Sequence, residues 1–131
     1  MSTRSLEELL EEARSGLTRI QPSEVEAALA RGALVVDHRD TADIAAEGSI
    51  PGSIPIPRSV LEWRLAPSSA WRSHHLETDA EVVLVCNEGF SSSLAAAALQ
   101  SLGLERCTDL EGGYRGWREW NADQAASTSS G

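Results

Sequence analysis

The stretch Val82-Val83-Leu84-Val85-Cys86-Asn87-Glu88-Gly89-Phe90-Ser91-Ser92-Ser93 constrains this chain more than any other. Its first four residues are apolar and three are β-branched, which reads as a short strand buried on both faces of a parallel sheet. Cys86 sits where that strand runs out, and a polar loop with one glycine follows. Ser91-Ser92-Ser93 offers caps for a helix that Leu94-Ala95-Ala96-Ala97-Ala98-Leu99 strongly favours and Gly103 stops. Strand, cysteine, tight loop and helix N-terminus together gather unpaired backbone N–H groups around one thiol. Such a field favours the thiolate, the reactive form of cysteine. The plainer reading is a small buried hydrophobe closing a strand. A cysteine at the carboxyl end of an apolar strand, before a glycine-containing loop, argues for the reactive one.

The chain has 131 residues, the size of one domain with a real core. Its net charge is −9, from 20 acidic and 11 basic residues, which speaks against nucleic acid or an anionic membrane as partner. Two cysteines without a C-x-x-C motif suggest neither a disulfide framework, a zinc site nor a dithiol redox pair. The first residues carry Glu and Arg rather than a long apolar run, so no signal peptide or spanning helix is expected, and a reducing cytoplasm fits best. His38, His74 and His75 match no ligand spacing of a helix or strand, and neither metal nor cofactor is expected.

Ser5-x-x-Glu8 has the spacing of a capping box, and Leu6, Leu9, Leu10 and Ala13 form a helical stripe that Gly16 ends. Residues 1–16 thus read as a helical extension ahead of the core pattern. Leu17–Ile20 is expected as a short first strand, and Pro22 starts a helix that turns Val25, Ala28 and Leu29 inward until Gly32. Ala33–Asp37 is the next buried strand. Asp37-His38-Arg39-Asp40 lies at its carboxyl end, and Asp40 can cap a short helix from Ala42 to Glu47. Pro51, Pro55 and Pro57 confine Ile54–Pro57 to an edge strand. Ser59-x-x-Glu62 has capping-box spacing before a helix with Trp63, and residues 66–78 read as irregular. A last strand lies around Cys107–Leu110, and Gly112-Gly113 turn it into a closing helix with Tyr114, Trp117 and Trp120. Residues 121–131 are small and polar and read as a disordered tail. Strands alternating with helices imply an α/β domain with a mainly parallel sheet, whose Cys86 and Asp37–Asp40 loops open at the same edge.

Four blocks in order resemble a single-domain rhodanese: Asp37-x-Arg39, Glu47–Pro57, Val85-Cys86-x-x-Gly89-x-Ser91-Ser92 and Leu110-x-Gly112-Gly113-x-x-x-Trp117. The resemblance runs over residues 17–120. It implies a rhodanese-like fold, a five-stranded mainly parallel central sheet with helices on both faces. It also implies a sulfurtransferase that carries sulfane sulfur as a Cys86 persulfide, cradled by Asn87, Glu88, Gly89, Phe90, Ser91 and Ser92. The expected partners are a small-molecule donor, thiosulfate or a persulfide, and a thiol or cyanide acceptor, with a protein acceptor as a further option. Many rhodaneses carry Arg at the position of Ser91, whereas this loop contributes no cation. An anionic donor must then be met by the amides, the serine hydroxyls or basic groups from other loops. Arg39 is the first candidate, with Arg58 and Arg64 behind it, although Arg39 can equally form a structural pair with Asp37.

Two rival readings bear on the same residues. Cysteine-dependent phosphatases and arsenate reductases need Arg six residues after the cysteine to clamp an oxyanion, and Ser92 stands there. A non-catalytic rhodanese-like module that binds partners or senses redox state fits the cation-free loop, but not the presence of Cys86. Cys107 is expected at the start of its strand, at the opposite end of the sheet from Cys86, and therefore in the core rather than in a disulfide. Trp63, Trp71, Trp117 and Trp120 are expected to be packing residues.

Overall fold

The computed structural model describes residues 3–129. Four strands form one parallel sheet: β1 (Leu34–Asp37), β2 (Ile54–Pro55), β3 (Val82–Val85) and β4 (Cys107–Asp109), in the order β2-β1-β3-β4. Leu34 to Asp37 pair in register with Val82 to Val85, and Val82 to Leu84 with Cys107 to Asp109. The expected fifth strand at Leu17–Ile20 is reduced to one parallel bridge, Ile20 to Leu110, at the outer edge of β4. Thr18 and Arg19 lie on a polar groove there rather than in a ladder. Pro55 and Pro57 keep β2 to two residues at the other edge.

Strand alternation sends β-branched residues to two cores. Val36, Val82 and Leu84 pack with Leu61, Leu65, Ala95, Ala96 and Leu99, from α4 (Leu61–Leu65) and α5 (Ser91–Ser101). Val35, Val83 and Val85 pack on the opposite face with Val25 and Ala28 of α2 (Val25–Ala30) and Tyr114 of α6 (Gly113–Ser129). The helix α3 (Thr41–Glu47) follows β1 with Asp40 as its N-cap residue, though the Asp40 side chain makes no capping bond. Arg58–Val60 is a turn of 3₁₀ helix, so Ser59 lies inside a helical turn rather than capping one.

The extension α1 (Leu6–Ser15) forms as its capping box requires. Ser5 Oγ accepts from the Glu8 N–H and Glu8 Oε1 from the Ser5 N–H, both at 3.1 Å. It packs along α5. At the other end, α6 runs through 121–129, where a tail was expected, because Ala122, Ala125 and Ala126 let an already nucleated helix propagate at little cost. Residues 130 and 131 lie outside the described residues. Of the tryptophans, Trp117 stacks at 5.8 Å on Tyr114, whereas Trp63 and Trp71 stand in solvent away from the Cys86 cavity.

Candidate active site

The β1–β3 ladder determines what lies beside Cys86. Asp37 pairs with Val85, and the His38 N–H donates to the Val85 carbonyl at 2.9 Å, so His38 and Cys86 follow in step at the carboxyl edge. Alternation places both on the face of Val36 and Leu84. They line one cavity of about 470 Å³, with Arg58, Asn87, Glu88 and Arg115 around them. The predicted meeting of the Cys86 and Asp37–Asp40 loops is therefore present.

The loop's peptides are turned because their carbonyls are occupied elsewhere. The N–H groups of Tyr114 and Arg115, in the first turn of α6, donate to the carbonyls of Cys86 and Asn87 at 2.8 and 3.1 Å. Arg14 and Arg19 both donate to the Gly89 carbonyl, at 2.9 and 2.8 Å. With the carbonyls held outward, N–H groups face the thiol, and the Gly89 N–H reaches Sγ at 3.1 Å. The approach of α6 requires glycine. A Cβ on Gly113 would sit 2.5 Å from the Cys86 carbonyl oxygen, and one on Gly89, at φ +86°, would sit 2.8 Å from the Gly112 nitrogen.

Cys86 is only 5 % exposed. Burial pushes its thiol up, but the Ser92 and Ser91 hydroxyls and the N–H groups of Ser92 and Gly89 push harder the other way, leaving it more acidic than an ordinary cysteine. His38 shifts in the same direction for a different reason. Burial disfavours its charged form, Arg58 adds to that, and contact with its own backbone and the charges of Asp37 and Asp109 only partly offset them. The arrangement can hold a nucleophilic sulfur, and a second sulfur bonded to it, against the N–H groups of Gly89 and Ser92.

The other expected site residues fall into two groups. Asn87, Glu88, Phe90, Ser91 and Arg58 surround the cavity. Asn87 Nδ2 donates to Asp43 at 3.2 Å, Glu88 pairs with Arg115 at 2.9 Å, and Arg58 pairs with Glu62 at 2.7 Å. Phe90 is exposed, with Arg14 over its ring at 5.8 Å. Ser92 and Ser93 do not cap α5. Both are buried, and their hydroxyls donate to the buried Asp109 carboxylate at 2.7 and 2.8 Å, charge-assisted bonds. Of the two roles open to Arg39, the pair with Asp37 is formed. Its backbone borders the cavity side, but its guanidinium is committed to Asp37 at 2.7 Å, to the Gly48 carbonyl at 2.7 Å and to the Tyr114 ring at 3.9 Å.

Sequence reasoning missed the cations that serve the loop. Arg14 and Arg19 are 75 and 70 residues from Gly89 along the chain, so no local pattern links them to it. Arg115 had a readable signal: it follows Gly112-Gly113 at the carboxyl end of the last strand, the edge that carries Cys86.

Comparison with known proteins agrees with this geometry. Residues 21–119 match the rhodanese-like domain family. A thiosulfate sulfurtransferase GlpE of Pseudomonas fluorescens is 34% identical over 116 residues, covering 88% of this chain and 98% of the relative. Among solved structures, a Rhodopseudomonas palustris protein of unknown function, for which tyrosine phosphatase activity has been suggested, superposes with a TM-score of 0.81 at 32% identity. That match covers 92% of this chain and 94% of the other. The human single-domain sulfurtransferase TSTD1 superposes with a TM-score of 0.65 at 30% identity, covering 77% and 95%.

Proposed function

The chain belongs to the rhodanese-like domain family, and from that premise we propose that it is a sulfurtransferase whose Cys86 carries sulfane sulfur between a small donor and a thiophilic acceptor. The observation that carries this reading is the thiol held at 3.1 Å from an inward-facing amide and shifted toward its thiolate.

With thiosulfate as donor, the Cys86 thiolate attacks the outer sulfur. A new S–S bond forms to Sγ, the S–S bond of the donor breaks, and sulfite leaves with the electron pair. The product is Cys86–S–S⁻, and three negative charges stand on each side of the step. An acceptor thiolate or cyanide then attacks the outer sulfur, giving a persulfide or thiocyanate and restoring the Cys86 thiolate. The loop amides offset the charge on the outer sulfur in the intermediate. Arg58 and Arg115, at the cavity, are the groups for the anionic end of the donor. Arg115 turns toward Glu88 and Glu47 at 2.9 and 3.1 Å, and a donor anion has to compete with those carboxylates. A persulfide donor of lower charge therefore suits this site better than thiosulfate. A nucleophile that must stay a free thiolate calls for a reducing compartment, and the cytoplasm is therefore proposed as the place of action.

The phosphatase chemistry suggested for the R. palustris neighbour is disfavoured here, since buried Ser92 stands where an oxyanion-clamping Arg is needed. The functional test is turnover with cyanide as acceptor, using thiosulfate and glutathione persulfide in parallel. Thiocyanate formation that Cys86→Ala abolishes is the expected result. Equal turnover by the variant, or none by the wild type with either donor, would overturn the reading.

A further inference from the structure

Ser92 has one hydroxyl proton and two neighbours that can take it. Its Oγ lies 2.7 Å from Asp109 Oδ2 and 3.2 Å from Cys86 Sγ. Asp109 is fully buried in the same cluster, accepts from Ser93 Oγ at 2.8 Å, and is bridged by Arg19 at 2.8 and 3.2 Å. A short O–H···O⁻ bond to a buried carboxylate is the stronger of the two options for the Ser92 proton while Sγ is neutral. Ser92 Oγ is then an acceptor toward Cys86, and the thiol S–H donates to it. Ser92 is itself fully buried, so water has no route to replace its hydroxyl.

We propose that Asp109 is a positioning residue for Cys86, acting through Ser92: it holds the Ser92 O–H away from Sγ, which receives that bond only when Cys86 ionises and the hydroxyl turns from the Asp109 carboxylate to the thiolate. The inference rests on Cys86 being the nucleophile of the proposed sulfur transfer. It has a consequence for the order of states. Sγ of the thiol and Sγ of the persulfide are both neutral and leave the Ser92–Asp109 bond intact. The bare thiolate alone breaks it. Asp109 thereby biases the site toward the sulfur-loaded form over the unloaded thiolate.

The test is a double-mutant cycle on full-length protein, reading Cys86 alkylation by iodoacetamide against pH. In Asp109→Asn the competing acceptor is neutral and the Ser92 O–H is free for the thiolate. Alkylation below the inflection should rise about tenfold, an inflection lower by about one pH unit. In a Ser92→Ala background the same Asp109 change should alter the rate less than about twofold, because the linking hydroxyl is gone. Among the described residues, the other charged groups near Cys86 are Arg14 and Arg19 behind the loop, and His38, Arg39, Asp40, Arg58, Glu88 and Arg115 around the cavity. All are present in every member of the cycle and cancel in the difference. A tenfold rise in both backgrounds would make Asp109 a through-space charge, and no rise in either would mean that it does not hold the hydroxyl. Either result overturns the proposal. If Asp109→Asn alone fails to fold because Arg19 is left unpaired, Arg19→Gln is introduced into all four members of the cycle, so that the loss of its charge cancels and the same differences are expected. Alkylation reads Cys86 whether or not sulfur is transferred, so failure of sulfur loading and failure of this cycle are separate results.

Discussion

Cys107 lies on β4 and Cys86 just beyond the end of the neighbouring parallel strand β3, and both are free and buried. Cys107 begins β4, in register with Val82, while Cys86 follows the last residue of β3, which places them about 13 Å apart along the sheet. Burial, with the charge of Asp109 behind it, pushes the Cys107 thiol up to about 12. Cys86 is also penalised by burial, yet it ends up below an ordinary thiol because hydroxyls and amides converge on it. Both are cysteines in one core, so the difference is made by position. At the amino end of a parallel sheet a side chain meets packing, and at the carboxyl end it meets the loop and the start of a helix.

The contrast between the two sheet ends can be tested in order of expected effect. Arg39→Ala leaves the buried Asp37 carboxylate unpaired and should cost about 3–5 kcal/mol by denaturant unfolding. Because its guanidinium is committed to Asp37, Gly48 and Tyr114, any loss of activity should be the same for thiosulfate and for a neutral donor. A selective loss with thiosulfate would return Arg39 to the donor site. Gly89→Ala should make Cys86 behave more like Cys107: strain at φ +86° costs about 1–3 kcal/mol, and alkylation at neutral pH falls at least about tenfold as the amide leaves Sγ. Unchanged alkylation would mean that the loop amide does not set the thiol's reactivity.

Arg115→Gln should raise the KM for thiosulfate by about tenfold while leaving a persulfide donor nearly unaffected. Cys107→Ala, by comparison, should cost about 1 kcal/mol in stability and leave sulfur loading intact, since it removes one buried atom far from the cavity. The smallest effect concerns His38, whose pKa burial has lowered. Folded protein then binds that proton more weakly than unfolded chain, so the associated stability is present above about pH 6.5 and is lost as the pH falls. Melting curves between pH 7 and pH 5 should show a shallower loss in His38→Gln than in wild type, and an equal slope would place the acid sensitivity in another group.

Much of this site was readable because its signals are local. Val82–Val85 announces the strand, Cys86 its end, Gly89 the curved loop, and Gly112-Gly113 the close approach that a Cβ would block. Asp37-x-Arg39 marked the facing loop, but whether Arg39 looked into the cavity or onto Tyr114 depended on side-chain packing that spacing does not encode. The serines were read as caps from their place at a helix start. Both hydroxyls instead donate to Asp109, 17 residues from Ser92 along the chain, a partner that no local pattern reveals. Leu17–Ile20 had strand-like composition, yet only Ile20 found a partner. Arg14 and Arg19 had no local signature at all, since they reach the loop only after the chain has folded.

The most direct test of the central claim is intact-protein mass spectrometry after incubation with thiosulfate and, separately, with glutathione persulfide, on wild type, Cys86→Ala and Cys107→Ala. The account predicts a gain of one sulfur on wild type and on Cys107→Ala, mapped to Cys86 and reached more readily with the persulfide donor, and no gain on Cys86→Ala. Loading that survives in Cys86→Ala, or is lost in a folded Cys107→Ala, would contradict it.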